Sequence, residues 1–184
     1  GSAGFLGSNL VKRLKQDKHK VIEWDITTDQ DVCTINETPK VDAIFHLACP
    51  VNPADYKAVT IDTIVASTVG TWNMLELARQ NKAKFLYVSS SEVYGEMGES
   101  SFRETDIVNF NPQGERTFYG ASKLMGEVLT MFYHRNHKVD ARIVRPFNIY
   151  GLGMRQDDTR VIPSFIRRAK ARKPVEITGN GEAT

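Results

Sequence analysis

Strand-like and helix-like patterns alternate along nearly the whole of this 184-residue chain. Apolar runs with strand character occur at residues 20–25, 42–48, 84–90, 139–145 and 175–178. One run with helical spacing, at residues 8–14, precedes the first of them. Three more lie between later strand patterns, at residues 61–80, 118–135 and 160–172. This alternation predicts an α/β fold, a doubly wound parallel sheet covered by helices on both faces.

The composition is that of an ordinary globular protein and excludes several functions. The net charge is only +2, so we expect no nucleic-acid partner, and the basic run at 167–173 is interpreted as a solvated helix face. No apolar run reaches the ~18 residues of a membrane span, and no membrane partner is expected. Cys33 and Cys49 have neither metal-ligand nor disulfide spacing. We predict a cytoplasmic protein without a metal site.

A glycine-rich turn opens the first helical run. Gly1, Gly4 and Gly7 are spaced three apart and enclose Phe5 and Leu6. Glycines at such a turn let the backbone approach a pyrophosphate, whose charge the helix N-terminus favours. The five residues are therefore candidates for dinucleotide binding. Two alternatives stay open, a glycine-rich helix start without a ligand and a Gly-Ser cloning scar.

An acidic residue follows the next strand pattern. Asp25 lies 18 residues after Gly7, near the position at which a carboxylate binds the adenosine ribose and disfavours a 2′-phosphate. We therefore predict NAD rather than NADP as the cofactor, with Asp31 and Val32 beside the adenine. The alternative is that Asp25 is a solvated residue of a turn.

Tyr119 and Lys123 are four residues apart at the start of a helical run. This spacing places both side chains on one face of the helix. A tyrosine has an unperturbed pKa of about 10, and a neighbouring ammonium group favours the phenolate. Tyr119 is thus a candidate catalytic base, although the same spacing also occurs by chance on ordinary helices.

Polar residues follow the strand pattern at 84–90. Ser89, Ser90, Ser91 and Glu92 would lie at the carboxyl end of the sheet, where open α/β folds bind their ligands. Hydroxyl and carboxylate groups there can bind a substrate oxygen and transfer protons. Helix capping and turn formation would equally explain the serines.

Four stretches occur in a fixed order along the chain: Gly1 to Gly7, His46 to Ala48, Ser89 to Gly95, and Tyr119 to Lys123 followed by Arg145 to Asn148. That combination resembles the extended short-chain dehydrogenase/reductase family, in its nucleotide-sugar epimerase/dehydratase branch. Within the branch, the segments 45–53, 70–75 and 90–95 look most like those of UDP-glucuronate decarboxylases. The resemblance implies a Rossmann-like fold, NAD as cofactor, a UDP-sugar substrate and a homodimer.

The resemblance also implies roles for individual residues. Ser90 would hold the sugar hydroxyl, and Tyr119 would take its proton. Lys123 would lower the pKa of Tyr119 and bind the nicotinamide ribose, so that both residues also belong to the cofactor site. Glu92 would be the acid used by decarboxylases and dehydratases. Asn148 would contact the phosphate side of the substrate. The remaining implied positions are Leu47, Ala48 and Ser89 at the cofactor and Tyr56 and Ser91 at the substrate.

The resemblance implies that an NAD-binding domain spans residues 1–155 and that a substrate-binding part begins at 156–184. The first strand of the family is absent before Gly1, Ser67 stands where many relatives have asparagine, and both ends of the chain look cut. The reaction would be decarboxylation of UDP-glucuronate through a 4-keto intermediate. A 4-epimerase, a 4,6-dehydratase and an NAD-binding module without turnover remain alternatives.

Overall fold

The computed structural model describes residues 1–35, 37–50, 60–95 and 101–177. The described helices are α1 (Phe5–Gln16), α2 (Thr60–Val65), α3 (Thr71–Asn81), α4 (Thr117–His137) and α5 (Val161–Lys170). The strands are β1 (Ala43–His46), β2 (Lys84–Val88) and β3 (Ala141–Val144). Short 3₁₀ helices span Ile26–Thr28 and Ser91–Tyr94, and a π-helical turn, Ala66–Gly70, joins α2 to α3.

The three strands form one parallel sheet in the order β1-β2-β3. Phe45 pairs with Leu86, and Leu86 pairs with Arg142. Helices separate the strands along the chain, because parallel neighbours need a crossover connection. The sequence prediction of an α/β, Rossmann-like fold with a parallel sheet is confirmed.

Two predicted strands are wrong. Residues 20–25 have no regular secondary structure, and neither do the described residues 175–177. A strand exists only where a neighbour completes its hydrogen bonds, whatever its apolar pattern. Segment 20–25 has no strand partner among the described residues, and its Trp24 carbonyl accepts instead from the N-terminal ammonium group of Gly1 and the backbone N–H of Ser2.

The hydrophobic core lies between β2 and the helices α3 and α4. Phe85 and Tyr87 of β2 are almost fully buried, as are Leu75 and Ala78 of α3. Their side chains belong to one cluster, which Tyr133 of α4 also joins. Burial of these large side chains supplies the main favourable term in folding.

The predicted helix 61–80 contains a π-helical turn that its sequence pattern did not indicate. Thr68 and Thr71 donate their hydroxyl hydrogens to the carbonyls of Ile64 and Ser67, four residues earlier. Such bonds compete with the regular backbone ladder and distort helices. The buried Ser67 in this turn also contacts the thiol of Cys49 at 3.2 Å.

The environment of His46, the last residue of β1, is that of a core residue. It is buried, and its Nε2 lies 3.0 Å from the hydroxyl of Thr71. Burial, with a smaller contribution from the positive charge of Lys123, lowers the pKa of His46 to about 3. The imidazole is therefore neutral at physiological pH and acts as a hydrogen-bonded core side chain.

Candidate active site

The segments that follow the three strands meet at the carboxyl edge of the sheet. They are residues 47–50 after β1, 88–92 around the end of β2 and 146–149 after β3, and all line one cavity of about 740 Å³. The glycine-rich turn and the first turns of α4 also contribute to its walls. This edge is where open parallel sheets bind their ligands.

The cavity collects almost every residue that the sequence nominated. All the described candidates line it: Gly1, Gly4, Phe5, Leu6, Gly7, Asp25, Asp31, Val32, Leu47, Ala48, Ser89, Ser90, Ser91, Glu92, Tyr119, Lys123 and Asn148. Tyr56 lies outside the described residues. The proximity of these side chains is a finding, whereas their individual roles stay predictions.

The glycine-rich turn packs too closely for side chains. A Cβ atom at Gly7 would lie 1.9 Å from the carbonyl oxygen of Gly1, and one at Gly1 would lie 2.7 Å from the backbone nitrogen of Ala48. Gly4 precedes α1 without a side-chain cap, so no side chain satisfies the first N–H groups of the helix, and Phe5, Leu6 and Gly7 of this first turn line the cavity. This is the arrangement that a pyrophosphate requires.

Asp25 connects the glycine-rich turn to the end of segment 20–25. One carboxylate oxygen accepts from the backbone N–H of Ala3 at 2.9 Å, and the other accepts from the N–H and the hydroxyl of Thr27. Burial raises the pKa of Asp25, but the hydrogen bonds from Thr27 and Ala3 outweigh it and leave the pKa below its ordinary value. Asp25 is therefore an anion that still has lone pairs for a ribose hydroxyl.

We expect NADP to bind at least about tenfold more weakly than NAD, since tenfold needs only ~1.4 kcal/mol of repulsion between the 2′-phosphate and the Asp25 carboxylate. Calorimetric titration of both cofactors measures the ratio. Asp25→Asn should bring the affinities for NAD and NADP closer together. Thr27→Val is the matched control, because it removes one bond to Asp25 and keeps the charge. Equal affinities in the unmodified protein would place Asp25 away from the ribose.

The serines after β2 differ in their hydrogen bonds. Ser90 caps the helix Ser91–Tyr94, and its hydroxyl oxygen accepts from the N–H of Glu92 at 3.2 Å. The hydroxyl of Ser90 can still donate a hydrogen bond of its own. Ser89 differs, because its buried Oγ has no hydrogen-bond partner among the described residues. A buried hydroxyl without a partner is costly unless a ligand or water completes it.

Tyr119 and Lys123 lie on the first turns of α4 and are both buried. The Lys123 ammonium donates to the carbonyl of Val88 at 3.0 Å and lies over the ring of Tyr87. An ammonium group has three N–H donors, so the bond to Val88 anchors Lys123 and leaves it donors for other partners.

Three arginines in the cavity wall were not predicted: Arg116, Arg155 and Arg160. Arg116 pairs with Glu92, and Arg160 forms a bidentate pair with the buried carboxylate of Asp158. The position of Arg116, three residues before Tyr119, offered a signal, since residues at that spacing share a helix face. Asp158 and Arg160 offered none, because a loop determines their orientation.

Over the described residues, no three His, Cys, Asp or Glu side chains come together in a way that could hold a metal ion. Nor does any helix in this part of the chain have the length and apolar character needed to cross a membrane. The donor set instead fits a dinucleotide: a tight glycine turn, an anionic Asp25 and the unpaired hydroxyl of Ser89.

Comparison with known proteins decides the family. The sequence profile described as NAD dependent epimerase/dehydratase family matches residues 1–184. The chain belongs to this family. Its members are NAD-dependent, and NAD is accordingly the cofactor.

A curated relative in this epimerase/dehydratase family is UDP-glucuronic acid decarboxylase 4 of Arabidopsis thaliana. It is 40% identical over 202 residues, which cover 100% of this chain and 46% of the relative. The chain thus spans about half the length of curated relatives that it matches.

Two solved structures are also similar. Pal from Bacillus thuringiensis is 28% identical with a TM-score of 0.80, over 99% of this chain and 66% of that one. UDP-glucuronic acid 4-epimerase from Bacillus cereus, solved with UDP-glucuronic acid and NAD, is 25% identical with a TM-score of 0.78, over 98% and 65%.

Proposed function

We propose that the protein to which this chain belongs decarboxylates UDP-glucuronate through a 4-keto intermediate and recycles its NAD. The observation that carries the proposal is the placement of Glu92 in the same cavity wall as Ser90, Tyr119 and Lys123. The curated relatives with this activity in their names, up to 40% identical, support it.

The residues can divide the reaction between them. Bound NAD supplies the hydride acceptor and later the donor. Ser90 orients the hydroxyl at C4, and Tyr119 takes its proton as that carbon is oxidised. Lys123, anchored on Val88, stabilises the phenolate of Tyr119. Tyr119 returns the proton when the ketone is reduced.

Glu92 serves the step between oxidation and reduction. The ketone at C4 accepts the electron pair of the C5–C6 bond as carbon dioxide leaves, and C5 then takes up a proton that originates from solvent. Glu92, a carboxylate in its pair with Arg116, can take up that proton from solvent and pass it to C5. Asn148 and Ser91 in the cavity wall are proposed to hold the rest of the nucleotide sugar, with Tyr56 as a further contact.

A 4-epimerase is the second candidate, because the solved Bacillus cereus enzyme with UDP-glucuronic acid shares the fold at a TM-score of 0.78. An epimerase forms and reduces the same ketone but needs no acid at C5. A 4,6-dehydratase, and an NAD-binding module without turnover, are the remaining readings. We also propose that the NAD-binding domain ends at residue 155 and that the protein is cytoplasmic.

Glu92→Gln should separate these functions. We expect the variant, in the complete protein, to reduce NAD with UDP-glucuronate yet release carbon dioxide about 10²-fold more slowly, because the amide cannot transfer a proton. NADH absorbance and carbon dioxide are followed together. Glu104→Gln, outside the cavity lining, is the control. Normal carbon dioxide release would refute the role of Glu92, and a wild type that makes only an epimer would favour the epimerase.

The predicted homodimer has support from an apolar stripe that we call the α3–α4 stripe: Val69, Trp72, Met125, Val128 and Phe132. Each is 39–54% exposed, although all five are large apolar side chains. Trp72 donates to the hydroxyl of Tyr133, which joins the two helices. Exposed apolar side chains on adjoining helices are typical of a protein interface, and we propose that a second copy covers them.

We expect sedimentation velocity to show a dimer and Val128→Glu to shift the protein to monomer, because a buried unpaired carboxylate is costly in an apolar interface. Ile107→Glu is the matched control, since Ile107 is 87% exposed and lies outside the stripe. A monomeric wild type at micromolar concentration would remove the proposal.

A further inference from the structure

Glu92 and Arg116 form an ion pair in the cavity wall. A guanidinium nitrogen of Arg116 lies 2.5 Å from a carboxylate oxygen of Glu92, and the two residues are 24 positions apart in the sequence. Both side chains line the cavity that contains Tyr119. The pair therefore connects the segment after β2 to the start of α4.

The backbone on each side of this pair is fixed. Glu92 lies in the helix that Ser90 caps, and the carbonyl of Arg116 accepts the backbone N–H of Tyr119 at 3.1 Å. A Cβ atom at Gly120 would lie 2.6 Å from the carbonyl oxygen of Glu92. The first turn of α4 thus packs directly on the segment that carries Glu92. A bond between their side chains sets the carboxylate relative to Tyr119.

Folding stability does not account for the pair. The side chains of Arg116 and Glu92 are 57% and 37% exposed, and exposed ion pairs add little to stability. The same pair becomes stronger when a substrate fills the cavity and excludes water, because the local dielectric constant falls. Its effect is therefore expected in the occupied site rather than in the free protein.

We propose that Arg116 is a positioning residue that holds the Glu92 carboxyl group for the step at C5. This inference rests on the proposed function, since only a decarboxylase or dehydratase needs that step. Without Arg116, the glutamate side chain has several rotamers available, and few of them point at the reacting carbon. Proton delivery by Glu92 then slows, while the oxidation that Tyr119 performs does not.

Single-turnover measurements on the complete protein test the inference. Arg116→Gln should slow carbon dioxide release by about tenfold or more and leave NAD reduction by UDP-glucuronate within about threefold, as expected for a loosened supporting residue. Arg116→Lys should recover part of the loss, because it keeps the charge. Arg116→Gln combined with Glu92→Gln should be no slower than Glu92→Gln alone, since the two residues act as one unit.

The control variant is Arg103→Gln, which changes an arginine outside the cavity lining. Melting temperatures of all variants should stay close to that of the wild type, given the exposure of the pair. Equal slowing of NAD reduction and carbon dioxide release, or losses that multiply in the double variant, would overturn the positioning role alone. A wild type that releases no carbon dioxide would overturn the proposed function, and the role of Arg116 with it.

Discussion

Tyr119→Phe is expected to lower turnover by about 10²–10⁴-fold while the protein keeps its fold and its affinity for NAD. That range is what general acid–base catalysis typically supplies, and the substitution removes only the hydroxyl group that exchanges the proton. Lys123 keeps its bond to Val88 in the variant, so the floor of the cavity is preserved. Steady-state turnover and calorimetric NAD binding measure the two quantities.

Tyr133→Phe is the matched control for this experiment. Tyr133 lies on the same helix, α4, but its hydroxyl bonds Trp72 and Glu76 and does not line the cavity. We expect a stability loss of about 1 kcal/mol from the broken hydrogen bonds and unchanged turnover. If Tyr119→Phe retained full turnover, or if Tyr133→Phe lost as much, Tyr119 would not be the acid–base group.

The sequence predicted which residues line the cavity better than it predicted the details of the fold. Each strand that has neighbours was found, since apolar runs such as 84–90 carry their own signal. Segment 20–25 has the same signal without a paired neighbour among the described residues, and sequence patterns cannot report pairing. The π-helical turn that contains Ser67 could not be predicted either, because it depends on hydroxyl-to-carbonyl bonds of Thr68 and Thr71 rather than on periodicity.

Side chains that meet across elements were the least predictable part. Glu92 and Tyr119 were nominated because each lies next to a strand end or a helix start, and both line the cavity. The partner of Glu92 was missed, since the contact with Arg116 depends on the packing of Gly120 against the 3₁₀ helix Ser91–Tyr94. Asp25 was found for its spacing, while its bonds to Ala3 and Thr27 show that it also organises the glycine-rich turn.

The close packing of α4 on the sheet gives the second large expected effect, that of Gly126→Ala. An added Cβ would lie 2.2 Å from the hydroxyl oxygen of Tyr87 and 2.9 Å from the carbonyl oxygen of Ser67. Tyr87 is fully buried and cannot swing away. The helix must therefore shift, and overpacking of this kind typically costs about 1–3 kcal/mol, occasionally more.

The sign of this change in stability tests the packing, because alanine at an unhindered site inside a helix would instead stabilise it by roughly 0.5–1 kcal/mol. We expect a lower melting temperature and also a turnover reduced by up to ~10²-fold, since a shift of about 1 Å displaces Tyr119 and Lys123 on the same helix. Urea unfolding and steady-state kinetics measure the two effects.

Gly151→Ala is the matched control, because its Cβ would meet only a ring carbon of Phe5 at an ordinary 3.7 Å. Combining Gly126→Ala with Tyr87→Phe removes the nearest obstructing atom but leaves the ring carbon at 2.4 Å, so only part of the loss should return. A Gly126→Ala protein as stable as the wild type would mean that α4 does not lie this close to β2. Full turnover in a destabilised variant would instead mean that the position of Tyr119 does not depend on the packing at Gly126.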